Sequence, residues 1–298
     1  MNMSKIKAYQ IEYGEIIKQF VEIELSIEKT LIRRGYQCSK SPSLFERLLV
    51  PWEKKALDGL YTIMTNHENR AKLKNICSIK NEINPNDLCK KAGWSSERIN
   101  AFIKDLISFK ILRDTTNISS FSLFNQQAEF GANLEWYIAE IFQRELYYTS
   151  GWGIHIEEAP DGGDYDVVAR AEDKIIYVEC KAKPVKNITK NEFLSFFRRD
   201  NFLRPDLSIF FIDSNDSLNP LIESLKELTG TEIRDNFFND LKEMPLKHIG
   251  GRLFLINTQR ESIKQRIMEC LRFNHRFQTH YMSTEGPFFL HKNIEKII

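Results

Sequence analysis

The chain lacks any long hydrophobic run, since no apolar stretch approaches the ~20 residues that a membrane helix requires. Its N-terminus carries no apolar signal region, so we expect a cytoplasmic protein with no membrane segment. Paired cysteines are also lacking. The five cysteines, at positions 38, 77, 89, 180 and 270, show neither a C-x-x-C spacing nor a Cys/His ligand spacing. We therefore expect neither a disulfide framework nor a zinc site.

A strong overall charge is missing as well, because the formal net charge is +1 over 298 residues. The distribution is uneven. Residues 51–114 carry 12 Lys and Arg against 8 Asp and Glu, whereas residues 115–220 carry 10 against 17. An acidic second region does not suit a passive nucleic-acid platform, while the basic first region can attract phosphates. The length is that of about two domains.

Residues 164–183 form a predicted hairpin that brings two acids and a lysine together. Asp166 precedes the apolar Val167-Val168-Ala169, and Glu179 and Lys181 end the next apolar run. Side chains alternate faces along a strand, so Glu179 and Lys181 point the same way. Two carboxylates can hold a hard divalent cation, and a neighbouring ammonium can orient water or offset negative charge. The pattern favours cleavage of phosphodiesters.

Two alternatives stay open at this hairpin. Asp164 is a second acid in the same neighbourhood, although it follows the Asp161-Gly162-Gly163 turn and does not directly precede the apolar strand. The hairpin could also be an ordinary surface element in which opposite charges pair across strands, each pair contributing about 0.2–1 kcal/mol. On the first alternative Asp164 replaces Asp166, and on the second there is no site.

A further carboxylate lies upstream, on the predicted helix Glu129–Leu146. The buried face of this helix is apolar and consists of Phe130, Leu134, Ile138, Ile141 and Phe142. On a helical wheel, Glu135 lies next to Phe142 at the edge of that face and can look toward a sheet. The alternative is a solvated glutamate at the boundary of the helix.

These residues resemble the PD-(D/E)XK nuclease superfamily, which has the restriction-endonuclease-like fold. Its motif is an acid that opens a strand, followed about a dozen residues later by Glu-X-Lys on the adjacent strand. Asp166 and Glu179-Cys180-Lys181 fit this motif, with a spacing of 13 between the two acids. Many members carry a glutamate on an upstream helix, for which Glu135 is the match.

The resemblance covers residues 125–215 firmly and the rest of the C-terminal half loosely. One departure is that the proline of the motif is absent, since Tyr165 precedes Asp166. The family often tolerates this change.

The resemblance implies a Mg²⁺- or Mn²⁺-dependent deoxyribonuclease that acts as an endonuclease, in restriction, defence or repair. Asp166, Glu179 and the main-chain carbonyl of Cys180 are then the metal ligands. Lys181 positions the attacking water or stabilises the transition state, and Glu135 binds a second ion or acts through water. The alternatives are a nuclease for RNA or branched DNA, and a catalytically inactive DNA-binding or regulatory protein.

Residues 51–124 show the pattern of a winged helix-turn-helix. A first helix contains Leu57 to Met64, a second begins near Pro85, and Gly93-Trp94 makes the turn. The helix from Ser96 to Phe109 is then the recognition helix. Two short strands, 110–113 and 120–124, flank the wing.

Four polar residues of that helix are candidate nucleic-acid contacts. Ser96, Arg98 and Asn100 could meet base edges, and Lys104 a phosphate. Lys183, beyond the hairpin, is a further candidate phosphate contact. The alternative is that the module serves protein–protein contact or spacing.

The remaining pattern sets the fold class and the domains. Residues 5–34 predict a long amphipathic helix that ends near Gly35 and either packs on its own domain or pairs in a homodimer. From residue 125, helices and strands alternate. We expect an α/β (α+β) fold with a mixed central sheet flanked by helices, preceded by a mostly helical winged-helix domain. The predicted domains are 1–50, 51–124 and 125–298.

Overall fold

The computed structural model describes residues 26–40, 42–79, 82–86, 95–115, 120–229, 234–235, 246–258 and 262–281. Within these ranges the α-helices are α1 Ile27–Arg33, α2 Lys54–Met64, α3 His67–Cys77, α4 Ser96–Ser108, α5 Phe130–Glu140, α6 Lys190–Leu203, α7 Asn219–Thr229 and α8 Ile263–Tyr281. Short 3₁₀ turns cover Pro42–Arg47 and Val185–Asn187, and a π-helical turn, Ile141–Glu145, extends α5.

The described strands are β1 Cys38–Lys40, β2 Leu112–Asp114, β3 Phe121–Leu123, β4 Thr149–Ile156, β5 Asp164–Ala171, β6 Lys174–Lys181, β7 Leu207–Ile212, β8 Arg234–Asp235, β9 Lys247–Ile249 and β10 Leu253–Asn257. Eight of these described strands form one sheet in the order β1-β4-β5-β6-β7-β10-β9-β8. The β6–β7 and β7–β10 pairs are parallel and the other pairs antiparallel. The expected mixed sheet is confirmed.

Two apolar layers bury the two faces of this sheet. α5 and α8 pack on one face, against inward residues such as Val167, Ile176 and Val178. α1, α6 and α7 pack on the other face, against Val168, Tyr177 and neighbouring residues. Alternate residues of β6, such as Tyr177 and Val178, thus enter opposite layers, and the last two residues of the strand are half-buried. The fold class is a mixed sheet flanked by helices.

The β4–β5 pairing is irregular next to Asp166. Trp152 pairs with Val167 and Ile154 with Tyr165, and between these pairs lies Gly153 with φ of +56°. A Cβ at Gly153 would lie 2.5 Å from the end of the Leu44 side chain, and the positive φ would strain any residue with a side chain there. The 3₁₀ turn that carries Leu44 therefore packs directly over this part of the sheet.

The N-terminal segment joins the main sheet. α1 ends at Arg33 and Gly35 follows with φ of +92°, which agrees with the predicted helix end. β1 then pairs with β4 as an edge strand. Residues 5–25 of the long helix, and with them the dimer prediction, lie outside the described residues.

Residues 51–124 contain α2, α3, α4 and the antiparallel β2–β3 hairpin, with Ile83 bridged to Phe121. Ser95 caps α4, because its hydroxyl accepts from the Arg98 N–H at 3.3 Å. The second predicted helix and the Gly93-Trp94 turn lie largely outside the described residues. No helix in the described part of the chain is both long and apolar enough for a membrane span.

A buried ion pair fastens α3 to the sheet. Arg70 donates to both carboxylate oxygens of Asp213, which follows β7, at 3.0–3.1 Å, and to the Met64 carbonyl at 2.7 Å. The two side chains are 2% and 6% exposed. The Asp213 N–H donates to the Lys181 carbonyl at 2.8 Å, so the pair adjoins the end of β6.

We predict that Arg70→Met lowers the free energy of unfolding by about 3–5 kcal/mol, because Asp213 is left as a buried charge without its partner. Urea or guanidinium unfolding measures the loss. The matched control is Arg98→Met on α4, which removes an exposed ion pair to Glu68 of α3. It should lower the free energy of unfolding by only about 0.2–1 kcal/mol. Equal losses for the two variants would contradict a structural role for the buried pair.

Candidate active site

Glu135, Asp166, Glu179 and Lys181 lie close enough for their charges to act on one another. The neighbouring charge of Asp166, after burial itself, raises the pKa of Glu135 well above its ordinary value. Burial and the charge of Glu179 raise the pKa of Asp166 to about 7. Helix α5 and strands β5 and β6 thus bring three acids and a lysine to one site.

Glu179 is the most deeply buried of these acids, with 1% of its surface exposed. Lys181 Nζ donates to its Oε1 at 2.7 Å, and Arg199 of α6 donates to both of its oxygens at 2.7 Å. The Tyr177 hydroxyl donates to Oε2. An ionised carboxylate offers about four acceptor positions, so these four hydrogen bonds use them all.

Asp166 is half-buried and accepts a hydrogen bond from the Cys180 N–H at 2.7 Å. This contact places the carboxylate beside the Glu179–Lys181 segment. Asp164, the competing acid, is exposed and pairs with His155 at 2.9 Å. Of the two aspartates, only Asp166 adjoins the other site residues.

Glu135, on α5, is half-buried and close enough to Asp166 for the charge of that acid to raise its pKa. Within the described residues it accepts no hydrogen bond and forms no ion pair. Arg47, which pairs with Glu129 at 2.7 Å, partly offsets the raised pKa of Glu135. Both carboxylate oxygens of Glu135 are therefore without a hydrogen-bond donor in the described part of the chain.

Lys181 stays charged despite its burial. Burial alone would lower its pKa, but Glu179 and Asp166 outweigh this and raise the pKa above the ordinary value. Its Nζ also lies 3.9 Å from Glu192, which caps α6 and pairs with Lys183 at 2.6 Å. Lys183 is thus next to the site but already bound to a carboxylate.

The Cys180 thiol faces away from this polar group. It packs against the apolar layer that contains Val178, and burial raises its pKa well above the ordinary value. A thiol in that state is a poor nucleophile.

The predicted nucleic-acid contacts on α4 are exposed. Ser96, Asn100 and Lys104 are spaced four residues apart and share one side of the helix. Arg98 lies on another side and pairs with Glu68 of α3 at 2.6 Å. All four lie on α4, apart from the helix and strands that carry Glu135, Asp166, Glu179 and Lys181.

Sequence reasoning missed the role of Arg199 and Tyr177. Arg199 is not among the predicted site residues, yet it is 8% exposed and bonds Glu179. One signal was available, because Phe196, Arg199 and Leu203 are spaced three and four apart and so share the buried face of α6.

The acids of the site meet the needs of a divalent cation only in part. Carboxylate oxygens suit Mg²⁺ and Mn²⁺, and Glu135 and Asp166 keep free acceptor positions in the described structure. Glu179 has none while Arg199 is bound. No group of three or more His, Cys, Asp or Glu side chains within the described ranges is arranged to hold a metal ion. The fit is thus partial and depends on Arg199.

The chain matches no protein-family model and no curated protein. Two solved structures are similar to it. One is protein VC1899 from Vibrio cholerae, with 14% identity, a TM-score of 0.44, and coverage of 82% of this chain and 59% of that one. The other is Can2 from Sulfobacillus thermosulfidooxidans in complex with cyclic tetra-adenylate, with 12% identity, a TM-score of 0.39, and coverage of 84% and 61%. The chain spans about 60% of the length of these structures. Similarity at this level assigns no activity.

We predict that the free energy of unfolding falls between about pH 4 and pH 7 because of Asp166. Its folded pKa of about 7 exceeds its unfolded value near 4, so the folded state binds the extra proton in this window. The stabilisation is complete below the unfolded pKa and is lost as pH rises through the folded one, at roughly 1.4 kcal/mol per pKa unit of difference. Chemical unfolding at several pH values measures it.

The comparison variant is Asp166→Asn, which should remove this part of the pH dependence. Asp164→Asn, two residues away and exposed, should leave it intact. The assignment fails if both variants keep the slope of the native chain.

Proposed function

We propose that the chain is a metal-dependent nuclease that hydrolyses DNA phosphodiester bonds as an endonuclease, with the residue arrangement of the PD-(D/E)XK superfamily. One observation carries the proposal. Three acids and a lysine from one helix and two strands lie close enough to shift one another's pKa values: Glu135, Asp166, Glu179 and Lys181. Clusters of desolvated acids beside a lysine are typical of functional sites, because folding alone gains little from them.

Each residue has a role in this proposal. Asp166, Glu179, the Cys180 main-chain carbonyl and Glu135 would hold Mg²⁺ or Mn²⁺, which lowers the pKa of a bound water and neutralises phosphoryl charge. Lys181, kept charged by Glu179 and Asp166, orients the attacking water or stabilises charge on the phosphoryl group. The deprotonated form of Asp166 is the active one.

The N-terminal part would supply contact with nucleic acid. The described part of this region contains α2, α3, α4 and the β2–β3 hairpin, which in this proposal form a winged helix. Ser96, Asn100 and Lys104 form an exposed stripe on α4 that could enter a groove. In this arrangement Lys183 contacts a phosphate only after Glu192 releases it.

A second candidate is a catalytically inactive DNA-binding or regulatory protein. It is favoured by the four hydrogen bonds that saturate Glu179, because a ligand without free lone pairs cannot bind a cation. A nuclease acting on RNA or branched DNA would use the same site. Digests of linear, circular and branched DNA and of RNA distinguish these candidates.

We predict that Asp166→Asn and Lys181→Met each reduce divalent-dependent cleavage at least roughly 10²-fold, because each removes a group that acts on transition-state charge. Cleavage of labelled DNA is followed over a Mg²⁺ and Mn²⁺ titration, with EDTA as the blank.

The matched controls are Asp164→Asn and Lys226→Met, which change an exposed acid and an exposed lysine outside the site. Both should cleave like the native chain, and circular dichroism checks that all variants fold. Full activity in a folded Lys181→Met preparation would remove its catalytic role. Absence of cleavage by the native chain with every substrate and metal would favour the inactive candidate.

We predict that Lys104→Ala weakens DNA binding equally for all sequences and reduces the salt slope by about 1, as expected for one lost phosphate contact. Asn100→Ala should instead relax sequence preference, by about 1–3 kcal/mol at one base pair. Fluorescence anisotropy in EDTA measures both without cleavage. Lys226→Ala is the control, and a Lys104→Ala slope equal to that of the control would remove α4 from the interface.

A further inference from the structure

Arg199 binds the carboxylate of Glu179, which the proposed function assigns as a ligand of the cation. Its guanidinium contacts both oxygens of Glu179 at 2.7 Å, while its Nε donates to the Tyr177 hydroxyl at 3.0 Å. Both partners of Arg199 are buried, with Tyr177 0% and Glu179 1% exposed. The contact is therefore a desolvated charge pair and a strong competitor for any other cation.

The neighbouring acids have no such partner. Asp166 accepts one hydrogen bond, from a main-chain N–H, and Glu135 accepts none within the described residues. The cationic groups of the site thus converge on Glu179 and leave the other two carboxylates without a bound cation. A divalent ion that joined Asp166 and Glu179 would need an oxygen that Arg199 now holds.

Arg199 has contacts that do not involve Glu179. Its Nε already donates to the Tyr177 hydroxyl at 3.0 Å, and its main-chain carbonyl accepts from the Tyr165 hydroxyl at 3.0 Å. Loss of the Glu179 contact would leave these two hydrogen bonds formed.

We propose that Arg199 is an internal competitor of the divalent cation, a positioning residue that holds Glu179 until a cation displaces it. This rests on the proposed function, because it concerns the same metal site. In the absence of a cation, Arg199 balances the buried charge of Glu179. With a cation bound, Glu179 exchanges one cationic partner for another.

The test is divalent-cation affinity without nucleic acid, measured by isothermal titration of Mn²⁺ into the full chain. Arg199→Met should bind Mn²⁺ at least roughly tenfold more tightly than the native chain, because a close charge pair no longer competes. In the double variant Arg199→Met with Glu179→Gln, this gain should vanish. The matched control is Arg198→Met, which removes an exposed arginine paired with Asp161 and should leave the affinity unchanged.

Arg199→Met leaves Glu179 with one cationic partner, Lys181, and could fail to fold. Arg199→Lys then serves as the second variant, because it keeps the positive charge but loses the planar guanidinium with its several N–H donors. It should tighten Mn²⁺ binding by a smaller factor than Arg199→Met does. The rise in melting temperature on adding Mn²⁺ is a second readout and should be larger in either variant than in the native chain.

The proposal is overturned if the Arg199 variants bind Mn²⁺ no more tightly than the native chain, or if the gain persists after Glu179→Gln. Failure of the proposed function gives a different result. If the Asp166→Asn variant binds Mn²⁺ as tightly as the native chain does, the proposed metal site itself is wrong. If Asp166→Asn weakens binding while Arg199→Met has no effect, only the competition is wrong.

Discussion

The buried carboxylate of Glu179 is the constraint around which the site is organised. Moving an ionised carboxylate out of water costs several kcal/mol unless cations and donors replace the lost hydration. Here the compensation comes from Tyr177 and Lys181 on the same strand and from Arg199 on α6. The hydrogen bonds of Glu179 therefore hold the Arg199 side chain of α6 against β6 and orient Lys181.

Charge is not balanced across the site. Glu179 is matched by Lys181 and Arg199, whereas Glu135 and Asp166 share a desolvated space with little cationic support. Burial and mutual repulsion raise both pKa values, so each acid holds a proton more strongly than an ordinary carboxylate, and added positive charge would stabilise the ionised forms. Such a site would suit the proposed phosphodiester hydrolysis, which needs positive charge from outside the chain.

Much of this arrangement could be predicted from the sequence because local patterns determine it. The alternation in Lys174–Lys181 fixed the face shared by Glu179 and Lys181, and the 3.6-residue period of α5 placed Glu135 at the edge of its buried face. The mixed sheet followed from the order of helices and strands. Asp166 was preferred to Asp164 from the apolar residues after it, and only Asp166 adjoins the site.

What could not be predicted depends on contacts between distant segments. The β1–β4 pairing joins residues more than one hundred positions apart. The short β1 has no sequence pattern that predicts this pairing. Arg199 and Arg70 bind acids 20 and 143 residues away. Periodicity could place Arg199 on the buried face of α6, but no local pattern indicates which acid either arginine binds. Strand β4 and helix α3 were also missed, β4 because its two glycines interrupt the strand pattern.

The most direct measurement is a crystal structure of the native chain grown with Mn²⁺, with anomalous scattering used to locate the ion. A hydrolytic metal site predicts one anomalous peak in contact with the Asp166 carboxylate, together with Arg199 withdrawn from Glu179. An ordered site with no such peak at saturating Mn²⁺, or a peak that leaves Asp166 bound only to the Cys180 N–H, would contradict it.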